Sequence, residues 1–246
     1  MGDSGDWDTA PPFRAGDLVL ADTRGGEPVP VGRVESVLSA ATGDRLLVER
    51  AFRRETYLVV PADSIQAIEE DDAFGVRWLI AGVRPADLIA GGVFRRTMGR
   101  LMRDPSPPGL PPALDDAASL AALQEAMASD PMTAGGEVTL AVRRGVALLD
   151  GWISTVGGKV QADRLARATP GIWAVSNRLT SDEELRVVVA GHLRSLPEAA
   201  AQVVDFRLAL GRLVLRLTSD ASDATSRDVE QAGHAIPGVR SVDVRR

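Results

Sequence analysis

The chain has 246 residues, a formal net charge of −6, 45% hydrophobic and 25% charged side chains, and no cysteine. That length fits two or three compact domains, and the acidic balance argues against a general nucleic-acid binder, so no DNA partner is expected. The absence of cysteine removes disulfides, thiolate zinc sites and cysteine nucleophiles together.

Residues 1–11 are polar and acidic and are expected to be disordered. They lack the basic start and apolar run of a secretory signal, and no stretch nears the roughly 18 uninterrupted apolar residues that cross a bilayer. The expected location is the cytoplasm, at most peripheral to the inner face of the membrane. Residues 12–90 predict a small all-β barrel within an α+β chain. GDLVLAD, PVGRVESVLS, RLLVERA, TYLVVPADSIQAIEE and FGVRWLI are short β-rich runs set apart by turn signals. VGRVESVL, the later YLVVPADSIQAIEEDD and a closing strand resemble the PRC-barrel superfamily through Gly32, Val34, Pro61, Ile65 and Ile68. That resemblance implies an adaptor that docks a partner protein or RNA-associated machinery. The acidic IEEDDAF (68–74) lacks the alternation and glycine of a calcium loop, so Glu69, Glu70, Asp71 and Asp72 are expected in a solvated turn.

Residues 91–113 form a connector. Residues 91–103 hold four arginines and no acid, against a net −7 for residues 1–90. At 100° per residue, Met98, Leu101 and Met102 fall within about 80° of Phe94, while Arg95, Arg96, Arg100 and Arg103 take the other side. The spacing predicts a short amphipathic helix with a basic face, weakened by Gly91, Gly92 and Gly99. Its apolar stripe either enters an anionic membrane surface with the arginines on headgroups, docks on a neighbouring domain, or serves only as a link. Five prolines within residues 105–112 predict an extended tether.

Residues 114–181 and 182–246 each predict helix, strand, strand, helix, strand. SLAALQEAMASDP and ELRVVVAGHLRSLP are helical patterns that run into proline. VTLAVRRGVALLDGWIS and VVDFRLALGRLVLRLTS alternate and are broken by Gly145 and Gly211, as a hairpin requires. GGKVQADRLARATPG is helical until Pro170 and Gly171 stop it, and Pro237 and Gly238 recur 67 positions later. Each corner feeds a last strand, carrying Val175 in one case and Val242 in the other. The recurrence is either a duplication or two unrelated α+β pieces with similar turns. The first copy resembles the BON domain family, whose pattern is an apolar strand, a hairpin glycine, v-L-x-G-x-v, a helix, then PGV-x-x-V-x-N-x-L. GVALLDGWIS supplies Gly151, and TPGIWAVSNRL supplies Val175, Asn177 and Leu179. In the second copy Leu217 replaces Gly151 and Val244 replaces Asn177, leaving a fold-level match.

Several fragments imitate catalytic motifs without their context. GDSG (2–5) has no preceding barrel to hold a histidine and an aspartate. TVGGKV (155–160) lacks the first glycine of a phosphate loop and has Val160 where Ser or Thr binds magnesium, so Gly157 and Gly158 are expected as a turn. His192 and His234, the two histidines, occupy non-equivalent places, so no metal site is expected. Trp152 and Trp173 pack as core or, if both are exposed, mark a contact face. No catalytic residue and no cofactor emerge. What the BON resemblance implies is a non-enzymatic binding protein on phospholipid surfaces or envelope and stress-related components. The alternative is a cytoplasmic scaffold, or a sensor of a small ligand or cation, acting through protein contacts.

Overall fold

Short runs of β-branched and aromatic residues divided by glycine and polar turns give the N-terminal part its strands. They are β1 (Leu18–Ala21), β2 (Val29–Leu38), β3 (Arg45–Arg50), β4 (Thr56–Pro61), β5 (Ile65–Asp71) and β6 (Val76–Ala81). After them come α1 (Pro85–Ala90), β7 (Val93–Thr97) and β8 (Arg100–Arg103). The computed structural model describes residues 13–23, 27–39, 43–53, 55–97, 100–104, 114–195 and 201–246. It divides the chain into two units, residues 1–114 and 115–246. The expected disorder of residues 1–11, the GDSG fragment, Met98 and the proline tether lie outside the described residues.

Unit 1 is an eight-stranded sheet in the order β5-β6-β1-β2-β3-β4-β7-β8. Pairing is antiparallel throughout except between β1 and β6. Among the described residues these pairings leave β5 and β8 as edges, where the sequence predicted a barrel. Val19, Val34, Leu46, Val48, Leu58, Val60 and Leu79 form the core, and Leu88 of α1 and Val93 of β7 close over it. Gly32 is needed where β2 meets β3, because a Cβ there would lie 1.9 Å from the Glu49 carbonyl oxygen.

Two expectations are corrected here. Val93–Thr97 and Arg100–Arg103 are strands, not a helix: β7 pairs antiparallel with β4, and β8 pairs antiparallel with β7. Val93, Phe94 and Thr97 suit a strand, and the open edge of β4 supplies hydrogen bonds that an isolated three-turn helix could not match. A strand alternates faces, so Phe94 shares its face with Arg96, Leu101 and Arg103, while Met102 lies on the other face with Arg95 and Arg100, and apolar and basic residues are mixed on both. The acidic run 68–74 is a turn only in its second half: Glu69, Glu70 and Asp71 lie on β5, and the turn into β6 begins at Asp72.

Unit 2 holds α2 (Asp116–Ser129), β9 (Glu137–Arg143), β10 (Val146–Ile153), α3 (Val156–Ala168), β11 (Ala174–Asn177) and β12 (Thr180–Ser181). It continues with α4 (Asp182–Arg194), β13 (Val203–Ala209), β14 (Arg212–Leu217), α5 (Asp223–His234) and β15 (Ser241–Arg245). β10 pairs antiparallel with β9 and parallel with both β11 and β12. β14 likewise lies between antiparallel β13 and parallel β15. Each sheet has its own core, Leu123, Leu149, Ile153 and Ala162 in one and Leu185, Val189, Leu213 and Leu215 in the other. Among the described residues no helix is long and apolar enough to cross a membrane.

Candidate functional site

The corners of unit 2 are built by one device used twice. In the β9–β10 turn Arg144 and Gly145 have φ of +52° and +69°, and in the β13–β14 turn Leu210 and Gly211 have +49° and +74°. Two consecutive left-handed residues make the hairpin turn that matches strand twist, and glycine takes the second place without strain. An aspartate opening the preceding helix holds each turn. Asp116 accepts the amides of Arg144 (2.6 Å) and Gly145 (2.8 Å), and Asp182 accepts those of Leu210 (2.8 Å) and Gly211 (3.0 Å). The Pro-Gly corners then lean on the same turns: the Trp173 amide donates to the Gly145 carbonyl at 2.9 Å, and the Arg240 amide to that of Gly211 at 2.8 Å. Gly171 and Gly238, at φ of +84° and +90°, permit both corners after Pro170 and Pro237.

The other motif residues are structural. A Cβ on Gly151 would stand 2.2 Å from the Glu137 carbonyl oxygen, and Gly151 has φ of +115°. Val175 is buried and Val242 is half-buried against its core. Asn177 donates to the Lys159 carbonyl and accepts the Leu179 amide, both at 3.1 Å, tying β11 to α3. Val244, at the corresponding place in the last strand of the chain, packs into its own core instead.

Trp152 joins the two αββαβ stretches. Its indole N–H donates to the Gly238 carbonyl at 2.9 Å, and the Arg240 guanidinium lies 5.3 Å from its ring centroid. Gly211 sits so close that a Cβ would lie 2.2 Å from the Trp152 Nε1. Beside it Glu137 takes Arg212 at 2.9 Å and also Arg240. The hydrogen bond from Arg240, helped by both positive charges, holds the Glu137 carboxyl below the usual range. Trp173 stays within its own stretch, donating to the Arg144 carbonyl at 2.8 Å. Both tryptophans are half-buried, and neither indole N–H is free.

An exposed apolar face remains on α3 and α4. Thr155 caps α3 by accepting the Gly158 amide, so Gly157 and Gly158 belong to the first helical turn rather than to the turn before it. The Glu183 carboxylate accepts the Val156 amide at 2.8 Å, so a carboxylate of the chain occupies the place of an external anion at this helix start. Lys159 reaches Glu184 at 3.0 Å and ties α3 to α4, whose own start is closed by a Ser181–Glu184 capping box. Burial alone would raise the Glu184 carboxyl, but hydrogen bonds from Lys159 and Ser181 bring it below its ordinary range. Around this tie Val156 and Val160 are exposed on α3, and Val187 (72%) and Val188 (48%) on α4. Exposed Met132 sits against the first turn of α3, where a Cβ on Gly157 would meet its methyl at 3.0 Å. Arg186 and Arg194, exposed on α4, flank the valines and make no ion pair among the described residues.

The sequence-predicted basic residues are dispersed. Arg96 pairs with Glu35 at 2.7 Å and lies 5.0 Å from the Tyr57 ring centroid, and Arg95 pairs with Asp104 at 3.3 Å. Phe94 is half-buried. Arg100, Leu101, Met102 and Arg103 are exposed on β8. His192 and His234 lie on α4 and at the end of α5, and among the described residues no cluster of metal-ligating side chains forms. The α3–α4 face had a sequence signal. Val187, Val188 and Val189 are consecutive, and one helix face cannot bury all three.

Sheets and helices of this kind define a mixed α+β protein. Residues 115–183 match the BON domain family model, so one BON domain is found in the chain. Two solved structures of CdsD from Chlamydia trachomatis, a structural protein of its type III secretion system, are also similar. The one described as its C-terminal domain is 21% identical over 54% of this chain and 68% of that one, with a TM-score of 0.44. The second is 21% identical over 53% of this chain and 62% of that one, also at 0.44. No curated protein matches the chain.

Proposed function

We propose that the chain is a non-enzymatic binding protein that lies against anionic phospholipid surfaces through the α3–α4 face. Unit 2 then consists of two BON-like copies, the second divergent, and unit 1 is an adaptor domain of the PRC-barrel kind. The observation that carries this is Val187, 72% exposed on a helix whose arginines, Arg186 and Arg194, have no partner among the described residues. Valines entering the interface and arginines near headgroups contribute about 1 kcal/mol each. Four valines and two arginines therefore support a reversible, salt-sensitive contact rather than a permanent anchor. The BON match at residues 115–183 supports the same ligand class.

Co-sedimentation with vesicles containing phosphatidylglycerol, at low and high salt, tests this. The wild type is expected to sediment at low salt and to be released at high salt. Val187→Asp with Val188→Asp is expected to abolish sedimentation, while Arg100→Glu with Arg103→Glu preserves it. The reverse pattern moves the contact to the β7–β8 hairpin, as the sequence alone suggests. No sedimentation of the wild type at low salt ends the proposal and favours the scaffold alternative, for which the Trp152 contact between the two stretches supplies a rigid body.

A further inference from the structure

The two edge strands of unit 1 carry opposite charge. Among the described residues β5 pairs only with β6 and β8 only with β7, so each has one side of its backbone without a strand neighbour there. Such edges are templates for another strand, and proteins commonly guard them with charge. Residues 66–70 of β5 are exposed, with Glu69 and Glu70 beside Ile68 (41% exposed). Glu70 approaches Arg77 at 3.5 Å yet keeps 67% of its side chain in solvent. All four residues of β8 are exposed, with Arg100 and Arg103 bracketing Leu101 and Met102 (59% exposed). Neither Arg100 nor Arg103 forms an ion pair among the described residues.

We propose that the chain associates with a second copy of itself by pairing the β8 edge of one molecule with the β5 edge of the next. Charge selects this pairing. Two β8 edges would oppose arginines and two β5 edges would oppose carboxylates, both destabilising, whereas β8 against β5 sets Arg100 and Arg103 near Glu69 and Glu70. Each molecule's own charged edges therefore block symmetric pairing and leave the crossed one open. Met102, Leu101 and Ile68 gain apolar cover in the same contact. Counting directions across the sheet, β5 and β8 run the same way, so a head-to-tail continuation pairs them in parallel. A contact between unlike surfaces closes into a ring or extends as a chain rather than stopping at a two-fold dimer.

Sedimentation velocity of the full chain tests this without any lipid. At low salt the weight-average mass of the wild type is expected to at least double as concentration rises, and to return to monomer in high salt. Arg100→Glu/Arg103→Glu and Glu69→Arg/Glu70→Arg are each expected to stay monomeric. In an equimolar mixture each acidic edge of one variant meets a basic edge of the other, so salt-sensitive association is expected to return, in pairs or larger alternating species. If a charge reversal loses its circular dichroism spectrum, Arg100→Gln/Arg103→Gln and Glu69→Gln/Glu70→Gln replace it, with loss of the salt-sensitive rise as the readout. A wild type that stays monomeric at low salt, a variant that associates like the wild type, or a reversal mixture without association each overturns the proposal.

Discussion

Replacing Asp182 by alanine is expected to destabilise unit 2 by about 2–6 kcal/mol. The carboxylate is 7% exposed and accepts two backbone amides, Leu210 at 2.8 Å and Gly211 at 3.0 Å. Alanine strands both donors, and a buried donor without a partner costs roughly 1–3 kcal/mol. Asparagine keeps one acceptor, so its cost should be about half. Asp116 serves the equivalent turn but is itself half-buried. Water can reach its abandoned donors, and Asp116→Ala should fall in the lower half of that range. Leu210 adds a second arm: its φ of +49° carries a left-handed cost of about 1–2 kcal/mol that glycine would not bear. Leu210→Gly in the Asp182→Ala background should recover part of the loss. Urea unfolding followed by tryptophan fluorescence and circular dichroism measures each variant, with an unchanged slope as the condition for comparing midpoints. Asp220→Ala, at an exposed site, is the control. If Asp182→Ala lies within about 0.5 kcal/mol of the wild type, or costs no more than Asp182→Asn, the carboxylate does not hold the turn.

Two other outcomes follow from the contact at Trp152. The Glu137 carboxyl is held below its ordinary value by the hydrogen bond from Arg240 and the charge of Arg212, so its stabilising effect is complete above the unfolded value near 4.3 and fades as pH falls through the lowered folded value. The difference in melting temperature between wild type and Glu137→Gln should therefore be level near neutrality and close in acid; a gap that persists undiminished in acid assigns it to something other than the ion pairs. Gly211→Ala meets both the Trp152 ring and a φ of +74°, and should cost more than about 1 kcal/mol with a shift in tryptophan emission. Gly135→Ala, with nothing within 4 Å, should change stability by less than about 0.5 kcal/mol, and equal effects at the two glycines would mean the contact is loose.

The elements of unit 2 were legible because glycine and proline announce its corners within a few residues of where they act. The β7–β8 hairpin was not, for a physical reason. Phe94, Met98, Leu101 and Met102 happen to suit a helical period over a window too short to distinguish it from alternation. What decides the conformation is the edge of β4, where Thr56 pairs with Arg95 across 39 positions of sequence. The acidic end of β5 was expected as a turn for a related cause, since an edge strand exposed along residues 66–70 need not alternate apolar and polar residues. The run TYLVVPADSIQAIEE reads as one segment, yet a short 3-10 turn at Ala62–Ser64 divides it into β4 and β5. Asp116 and Asp182 lie 66 positions apart in plain sight, but their partners are 28 and 29 residues away, beyond any local pattern.

The two stretches share their backbone bonds and differ in the side chains that the shared corner projects. The residue two places after each Pro-Gly donates its amide to the hairpin glycine, which fixes the main chain and leaves the side chain at liberty. Trp173 spends that liberty on its own turn, through the Arg144 carbonyl. Arg240 turns outward to Glu137 and the face of Trp152. Trp152 in turn reaches the Gly238 carbonyl, and the missing side chain of Gly211 admits its ring. One stretch thus closes on itself while the other latches onto it, and the difference lies at a few positions. That asymmetry lets the second stretch carry Leu217 and Val244 where the first has Gly151 and Asn177 and still hold its place. Leu217 and Val244 consolidate a core of its own, while the latch is made from residues at the opposite ends of its strands.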